Sequence, residues 1–216
     1  MKTRFAFLIP ALAFCLAATH AAEKTAAWTS MFNGKDLTGW KSNEEIPGVF
    51  TVENGTLKVS GGRAHIFYGA DGNAPLKNFE FKAKVKTTKG SNSGIYIHTA
   101  FEPKGWPTKG YECQVNSTHT DKKKTGGLYG VKDVMDVAPS TDDAWFDYYI
   151  KVDGKNIVIQ IDGKTTVDWN EPADWDPSKT LKNMDGRKLG VGTIALQGHD
   201  PKSTTYYKDL SIRALP

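Results

Sequence analysis

The sequence predicts an all-β protein, an antiparallel β-sandwich or barrel, and three observations predict it. Apolar residues recur at every second position along many short segments, helical periodicity is nearly absent, and Gly and Asp punctuate the segments at close spacing. A strand with one buried face requires that alternation, because successive side chains point to opposite sides of a sheet.

The first residues, MKTRFAFLIPALAFCLAATHAAEK, combine a basic start (Lys2, Arg4), an apolar run from Phe5 to Ala18 and small residues around Ala21 and Ala22. This is the layout of a secretory signal peptide, and the run is too short to remain as a membrane-spanning helix. Phe14 stands before Cys15, where a lipoprotein would carry a small residue. Cleavage near Ala22 is therefore expected, with 1–22 as signal peptide and 23–216 as a single domain without a membrane anchor. The expected location is periplasmic or secreted. Loss of Cys15 leaves Cys113 as the sole cysteine, so the mature chain has no internal disulfide and must hold by packing. Loss of Lys2 and Arg4 lowers the formal charge from +4 to +2, which gives no reason to expect nucleic acid. The one basic run, DKKK at 121–124, reads as a solvated loop.

The strands follow in order. VFTVENGTLKVS (49–60) reads as two strands joined at Asn54-Gly55, a strong hairpin signal. In NFEFKAKVKTT (78–88), Phe79, Phe81, Ala83 and Val85 point in, while Glu80, Lys82, Lys84 and Lys86 point out. The stretch 145–169 reads as three strands broken at Asp153-Gly154 and Asp162-Gly163. The final strands are GVGTIALQGH (190–199) and TTYYKDLSIRAL (204–215). Between them, 170–188 is a long irregular connection rich in Pro and Asp, the kind of segment that serves a site or merely crosses the surface.

Three further strands carry a different kind of outer face. GYECQVN (110–116) sends Tyr111, Cys113 and Val115 to the core, with Cys113 expected to be an inert buried thiol, and sends Glu112, Gln114 and Asn116 to the other side. NSGIYIHTA (92–100) does the same with Ile95 and Ile97 against Tyr96 and His98. TIALQGH (193–199) sets Ile194 and Leu196 against Ala195, Gln197 and His199. If the first two strands pair across 101–110, Tyr96 and His98 lie beside Glu112 and Gln114, roughly 5 Å apart at the β-carbons. Carboxamides, imidazoles and a phenol with little Lys suit a hydroxyl-binding face better than a solvated one. Trp106, Tyr129 and Trp145 in the adjoining segments offer aromatic surfaces on which a sugar ring can stack.

Glu112 is the only carboxylate on these three faces. A retaining glycosidase needs two, about 5 Å apart, so ordinary two-acid hydrolysis is disfavoured. His98, His199 and Glu112 are conceivable ligands for a divalent metal ion, but no compact spacing such as HxH or HExxH supports the set. No GxSxG motif and no phosphate-cradling loop appear.

Five motifs in order then give a resemblance over essentially the whole mature chain: MFNGKDLTGW (31–40), NSGIYIHT (92–99), GYECQVN (110–116), TGGLYG (125–130) and ALQGHDPKS (195–203). The chain resembles the 3-keto-disaccharide hydrolase family, many of whose members carry Arg at the place of His98. The resemblance implies a concanavalin A-like jelly roll and an exported protein acting on oxidised glycosides. It implies removal of the proton at C2, loss of the C1 group by β-elimination, and hydration. On that reading Glu112 or His98 is the base and His199 donates a proton or stabilises the enolate. Asn92, Tyr96, Trp106, Gln114, Tyr129, Trp145 and Gln197 contact the carbohydrate, and a divalent metal is an alternative electrophile at the ketone. The rival reading is a non-catalytic carbohydrate-binding module of an exported glycan-utilisation system.

Overall fold

The computed structural model describes residues 26–43, 45–180 and 184–216; the expected signal peptide lies outside the described residues. Its strands are β1 (Thr29–Ser30), β2 (Trp40–Ser42), β3 (Phe50–Glu53), β4 (Thr56–Ser60), β5 (Ala64–Tyr68), β6 (Phe79–Thr87) and β7 (Ser93–Thr99). They continue as β8 (Tyr111–Val115), β9 (Lys123–Leu128), β10 (Lys132–Met135), β11 (Phe146–Asp153), β12 (Asn156–Ile161), β13 (Lys164–Asn170), β14 (Thr193–Gly198) and β15 (Thr204–Ala214). Among the described residues one 3₁₀ turn, Pro177–Lys179, is the sole helical element. No helix among the described residues is long and apolar enough to cross a membrane.

Two antiparallel sheets stack face to face as a sandwich, one of the two arrangements expected from the period-2 pattern, in the jelly-roll form that the resemblance implies. One sheet runs β13-β12-β11-β6-β15-β4-β3 with β1 paired on β15, and the other runs β10-β9-β8-β7-β14-β5-β2. The hairpins fall where the turn residues lie. Asn54 and Gly55 both have positive φ (49° and 74°), as do Asp162 and Gly163 (48° and 75°), which matches the twist of a two-residue connection. Phe79, Phe81, Val85, Tyr148, Ile150 and Val152 from the first sheet meet Ile95, Ile97, Tyr111, Cys113, Val115, Ile194 and Leu196 from the second, all fully buried. Cys113 sits in this core, and burial pushes its thiol far above the ordinary range, as expected of an inert group.

The sheets differ on their outer faces. That of β6 and β11 is Lys-rich and wet, as the sequence indicates, with Lys84 paired to Asp147 at 2.7 Å. In β7, β8 and β14, by contrast, every residue is buried on both faces. Residues of the connecting segments, Trp106, Met184 and His199 among them, border a pocket in this second face.

The basic run departs from expectation. Lys123 and Lys124 begin β9. Lys124 is buried, its Nζ donating to the His119 carbonyl at 2.6 Å and to Asn116 Oδ1 at 3.4 Å. The ammonium thus satisfies backbone and amide oxygens in the turn that precedes it.

Candidate active site

The pocket has a volume of about 230 Å³ and is lined by Asn92, Tyr96, Trp106, Glu112, Gln114, Tyr129, Met184, Gln197 and His199. Its floor is made by three adjacent strands. Tyr96 on β7 pairs with Glu112 on β8, and Ala195 on β14 pairs with Tyr96 from the other side. Gln197 then stands two positions along β14 on the same face.

Glu112 is the centre of this floor. Gln197 Nε2 donates to its Oε1 at 2.9 Å, while the Tyr96 hydroxyl donates to its Oε2 at 3.0 Å. Arg187 Nη2 approaches Oε2 at 3.4 Å, and both side chains of this ion pair are buried. A carboxylate offers about four lone-pair positions, so three donors leave acceptor capacity, and it lies on Oε1. The Tyr96 phenol is held far above its ordinary pKa, first by burial and then by the adjacent Glu112 charge, so it stays a donor. Gly94 makes the arrangement sterically feasible. A Cβ there would lie 2.6 Å from Glu112 Oε1, so the glycine leaves room for the carboxylate across β7.

One wall is built from histidines that sequence reasoning found only in part. His199, just beyond β14, has Nδ1 3.1 Å from Asp200 Oδ2 and Nε2 3.2 Å from Asn92 Nδ2. His119 stacks edge-on against it with ring centroids 5.5 Å apart, its Nε2 3.7 Å from the same Asp200 oxygen. Burial lowers the pKa of His119. Burial pushes Asp200 up, but hydrogen bonds from Ser203, the Lys202 amide and His199 outweigh that and hold it below its usual value. Trp106 forms the rim. It is 40% exposed, with its ring 5.3 Å from His199 and 5.6 Å from His65. Tyr129 also lines the pocket, its hydroxyl donating to Asp121 Oδ2 at 3.1 Å.

Two expected members lie elsewhere. His98 does not face Glu112. The β7–β14 register slips between Thr193 and Ala195, His98 takes a left-handed φ of 53°, and alternation along β7 breaks there. Its Nε2 donates to the Lys77 carbonyl at 2.8 Å and its Nδ1 accepts from the Gly190 amide at 3.1 Å. Both ring nitrogens are thus engaged in fixing loops, and the metal set His98, His199 and Glu112 is not assembled. Trp145 lies on the outer face of the other sheet, between Lys86 and Lys208, whose Nζ atoms are 5.2 and 4.3 Å from its ring. It is remote from the pocket because it leads into β11, a strand of the wet sheet. Asn116 follows Glu112 and Gln114 in alternation, but its amide donates to the Asp121 and Lys123 carbonyls and braces the loop behind the wall.

Arg187, His119, Asp200 and Met184 are site residues that sequence reasoning did not assign. Arg187 comes from the long 170–188 connection, and hydrogen bonds hold the residues at its two ends. Glu171 accepts from the Tyr111 hydroxyl at 2.7 Å and the Leu189 amide at 2.6 Å, and Trp175 Nε1 donates to the Arg187 carbonyl at 2.8 Å. The His199-Asp200 dipeptide was a readable signal. Nothing local marks Arg187, because its role depends on a tertiary contact.

A two-sheet antiparallel sandwich with a polar pocket sunk into one sheet places the protein in the jelly-roll class of folds. Solved structures agree on that fold. One from Parabacteroides distasonis, classed with the glycosyl hydrolases, superposes with a TM-score of 0.74 at 23% identity over 88% of this chain and 94% of that one. The carbohydrate-binding module CBM66 of Bacillus subtilis gives 0.56 at 12% identity, over 82% and 96%.

Within that class, the profile of the 3-keto-alpha-glucoside-1,2-lyase-like domain matches residues 27–213, and the chain belongs to that family. A curated relative, the 3-keto-disaccharide hydrolase of Bacteroides thetaiotaomicron, is 27% identical over 115 residues. That match takes in 44% of this chain and 40% of the relative's length.

Proposed function

We propose that this protein cleaves the glycosidic bond of 3-keto-glycosides by elimination and hydration, outside the cytoplasm. The observation that carries the reading is the single carboxylate among the pocket-lining residues, Glu112, held by Tyr96 and Gln197 with acceptor capacity left on Oε1. One carboxylate cannot support acid–nucleophile glycoside hydrolysis, but it suffices when a ketone at C3 has acidified the hydrogen at C2. The family match supports the same chemistry, and the basic-apolar-small pattern of residues 1–22 supports export.

In this mechanism Glu112 Oε1 takes the C2 proton. The electron pair enters the C2–C3 bond as an enolate, and negative charge gathers on the C3 oxygen. Collapse of the enolate forms the C1–C2 double bond and expels the aglycone oxygen, which leaves with a proton. Water then adds across that double bond, hydroxyl to C1 and hydrogen to C2, giving the 3-keto sugar. His199, backed by Asp200, and Asn92 stand on the wall where the enolate oxygen is to be stabilised. Gln114 and Gln197 orient hydroxyls, and Trp106 and Tyr129 flank the ring or the aglycone.

Aglycone release from a 3-keto-glucoside, measured beside the unoxidised parent, tests the proposal. Release from the keto form alone is expected. Saturable binding with no release would instead assign the pocket to a non-catalytic carbohydrate-binding module. A positioned base contributes about 10²–10⁴-fold, so Glu112→Gln should lower kcat by at least 10²-fold with the fold intact. Near-normal turnover in that variant would remove Glu112 from the role of base.

A further inference from the structure

We infer that His119, His199 and Asp200 form a binding site for one transition-metal dication at the pocket wall. One nitrogen from each imidazole and one carboxylate oxygen all lie within 4.8 Å of one another. The Asp200 Oδ2 to His199 Nδ1 distance is 3.1 Å, and Asp200 Oδ2 to His119 Nε2 is 3.7 Å. Bonds of about 2.1 Å to a shared ion set neighbouring ligands roughly 3.0–3.4 Å apart, so small movements complete the set. Two imidazoles and one carboxylate suit Zn²⁺, Co²⁺ or Mn²⁺ better than Ca²⁺ or Mg²⁺, which prefer all-oxygen shells.

A second observation points the same way. Asn92 is buried, and its Oδ1 has no hydrogen-bond partner among the described residues, while its Nδ2 rests on His199 Nε2. An ion on His199 Nδ1 leaves the hydrogen on Nε2. The Asn92 amide, turned over, then accepts that hydrogen with the oxygen that now lacks a partner. Ser203 Oγ donates to Asp200 Oδ2 at 2.5 Å and fixes the carboxylate from behind. One contact opposes loading: the Asp121 amide donates to His119 Nδ1 at 3.1 Å, and an ion on Nε2 forces a hydrogen onto that nitrogen. Binding therefore gives up this hydrogen bond and the one between His199 Nδ1 and Asp200 Oδ2 in exchange for three metal–ligand bonds.

The consequence for chemistry rests on the keto-glycoside reading, although the ion site does not. Without an ion, Asp200 draws the His199 hydrogen to Nδ1 and the nitrogen nearer Asn92 is an acceptor. With an ion, that nitrogen donates to the Asn92 oxygen, and the turned-over amide has its hydrogens free for an enolate oxygen. The same ion also ties the 117–122 loop to the 199–203 turn.

The test uses the untagged chain, stripped with chelator and titrated with Co²⁺ by calorimetry and visible absorption. One Co²⁺ per chain is expected, with the absorption of imidazole-ligated cobalt and a raised Tm. His119→Gln, which keeps an acceptor for the Asp121 amide, and Asp200→Asn should each weaken binding at least tenfold and abolish the Tm shift, with circular dichroism unchanged. Absence of stoichiometric binding, or equal affinity in both folded variants, would overturn the site. Cobalt binding without aglycone release would uphold the site and defeat the keto-glycoside reading. Chelator-insensitive release without cobalt binding would do the reverse.

Discussion

Glu112 and Arg187 are both buried, and each is the other's counter-charge. Removing one partner of such a pair leaves an uncompensated charge in a poorly solvated site, which typically costs about 3–5 kcal/mol. Arg187→Met should therefore lower stability by about 3 kcal/mol in denaturant unfolding, and it should lower turnover as Glu112 shifts. The double variant Arg187→Met/Glu112→Gln should recover part of the stability and none of the turnover. His65 allows a separate prediction. It is fully buried beside Tyr96 and Trp106, neither ring nitrogen has a partner among the described residues, and burial lowers its pKa to about 3. A histidine whose folded pKa lies below its unfolded value of about 6.5 costs stability as pH falls below 6.5, because the unfolded chain takes up the proton first. That loss is of the order of a few kcal/mol by pH 3. His65→Phe should flatten the decline between pH 6.5 and pH 5, above the range where carboxylates titrate, as read from Tm against pH.

At the level of the element, β7 shows how far pattern reasoning reaches. Its alternation places Ile95 and Ile97 in the core and Tyr96 on the pocket floor, as read from the sequence. One position later the pattern fails, because the slip against β14 adds a residue to β7 and His98 turns away. Period-2 reasoning has no means of seeing a bulge, which is decided by how two strands register. Gly94 on the same strand gives a sharper test. Its backbone does not require glycine for conformational reasons; the space above it is filled by Glu112 Oε1. Gly94→Ala should fold, since β7 keeps its ladder, and should cut kcat/KM by at least tenfold by displacing the carboxylate. Wild-type kcat/KM in this variant would show that the position of Glu112 is not critical.

For the molecule as a whole, the sandwich and its hairpins were legible because turn chemistry and alternation are local. The pairing of three polar strand faces was legible too, since Tyr96, Glu112, Gln114 and Gln197 recur in one pattern. The walls were not. Trp106 and Trp145 look alike in sequence, yet one borders the pocket and the other lies between lysines on the opposite sheet. Arg187 and His119 arrive by loops whose paths depend on Glu171, Trp175 and Lys124. Loop placement comes from long-range contacts, and those leave little trace in local composition.

The floor strands are buried on both faces, so Tyr96, Gln197 and Glu112 are part of the molecule's interior as well as its pocket. Tolerance to change is therefore unevenly distributed. A library of substitutions at the floor would be depleted for want of folded protein, whatever it did to substrate. The same library at Trp106 and Met184, outside the buried core, would return folded variants that, on the proposed function, differ in the leaving group they accept. Selection for new aglycones has its freedom at the mouth of this pocket and almost none beneath it.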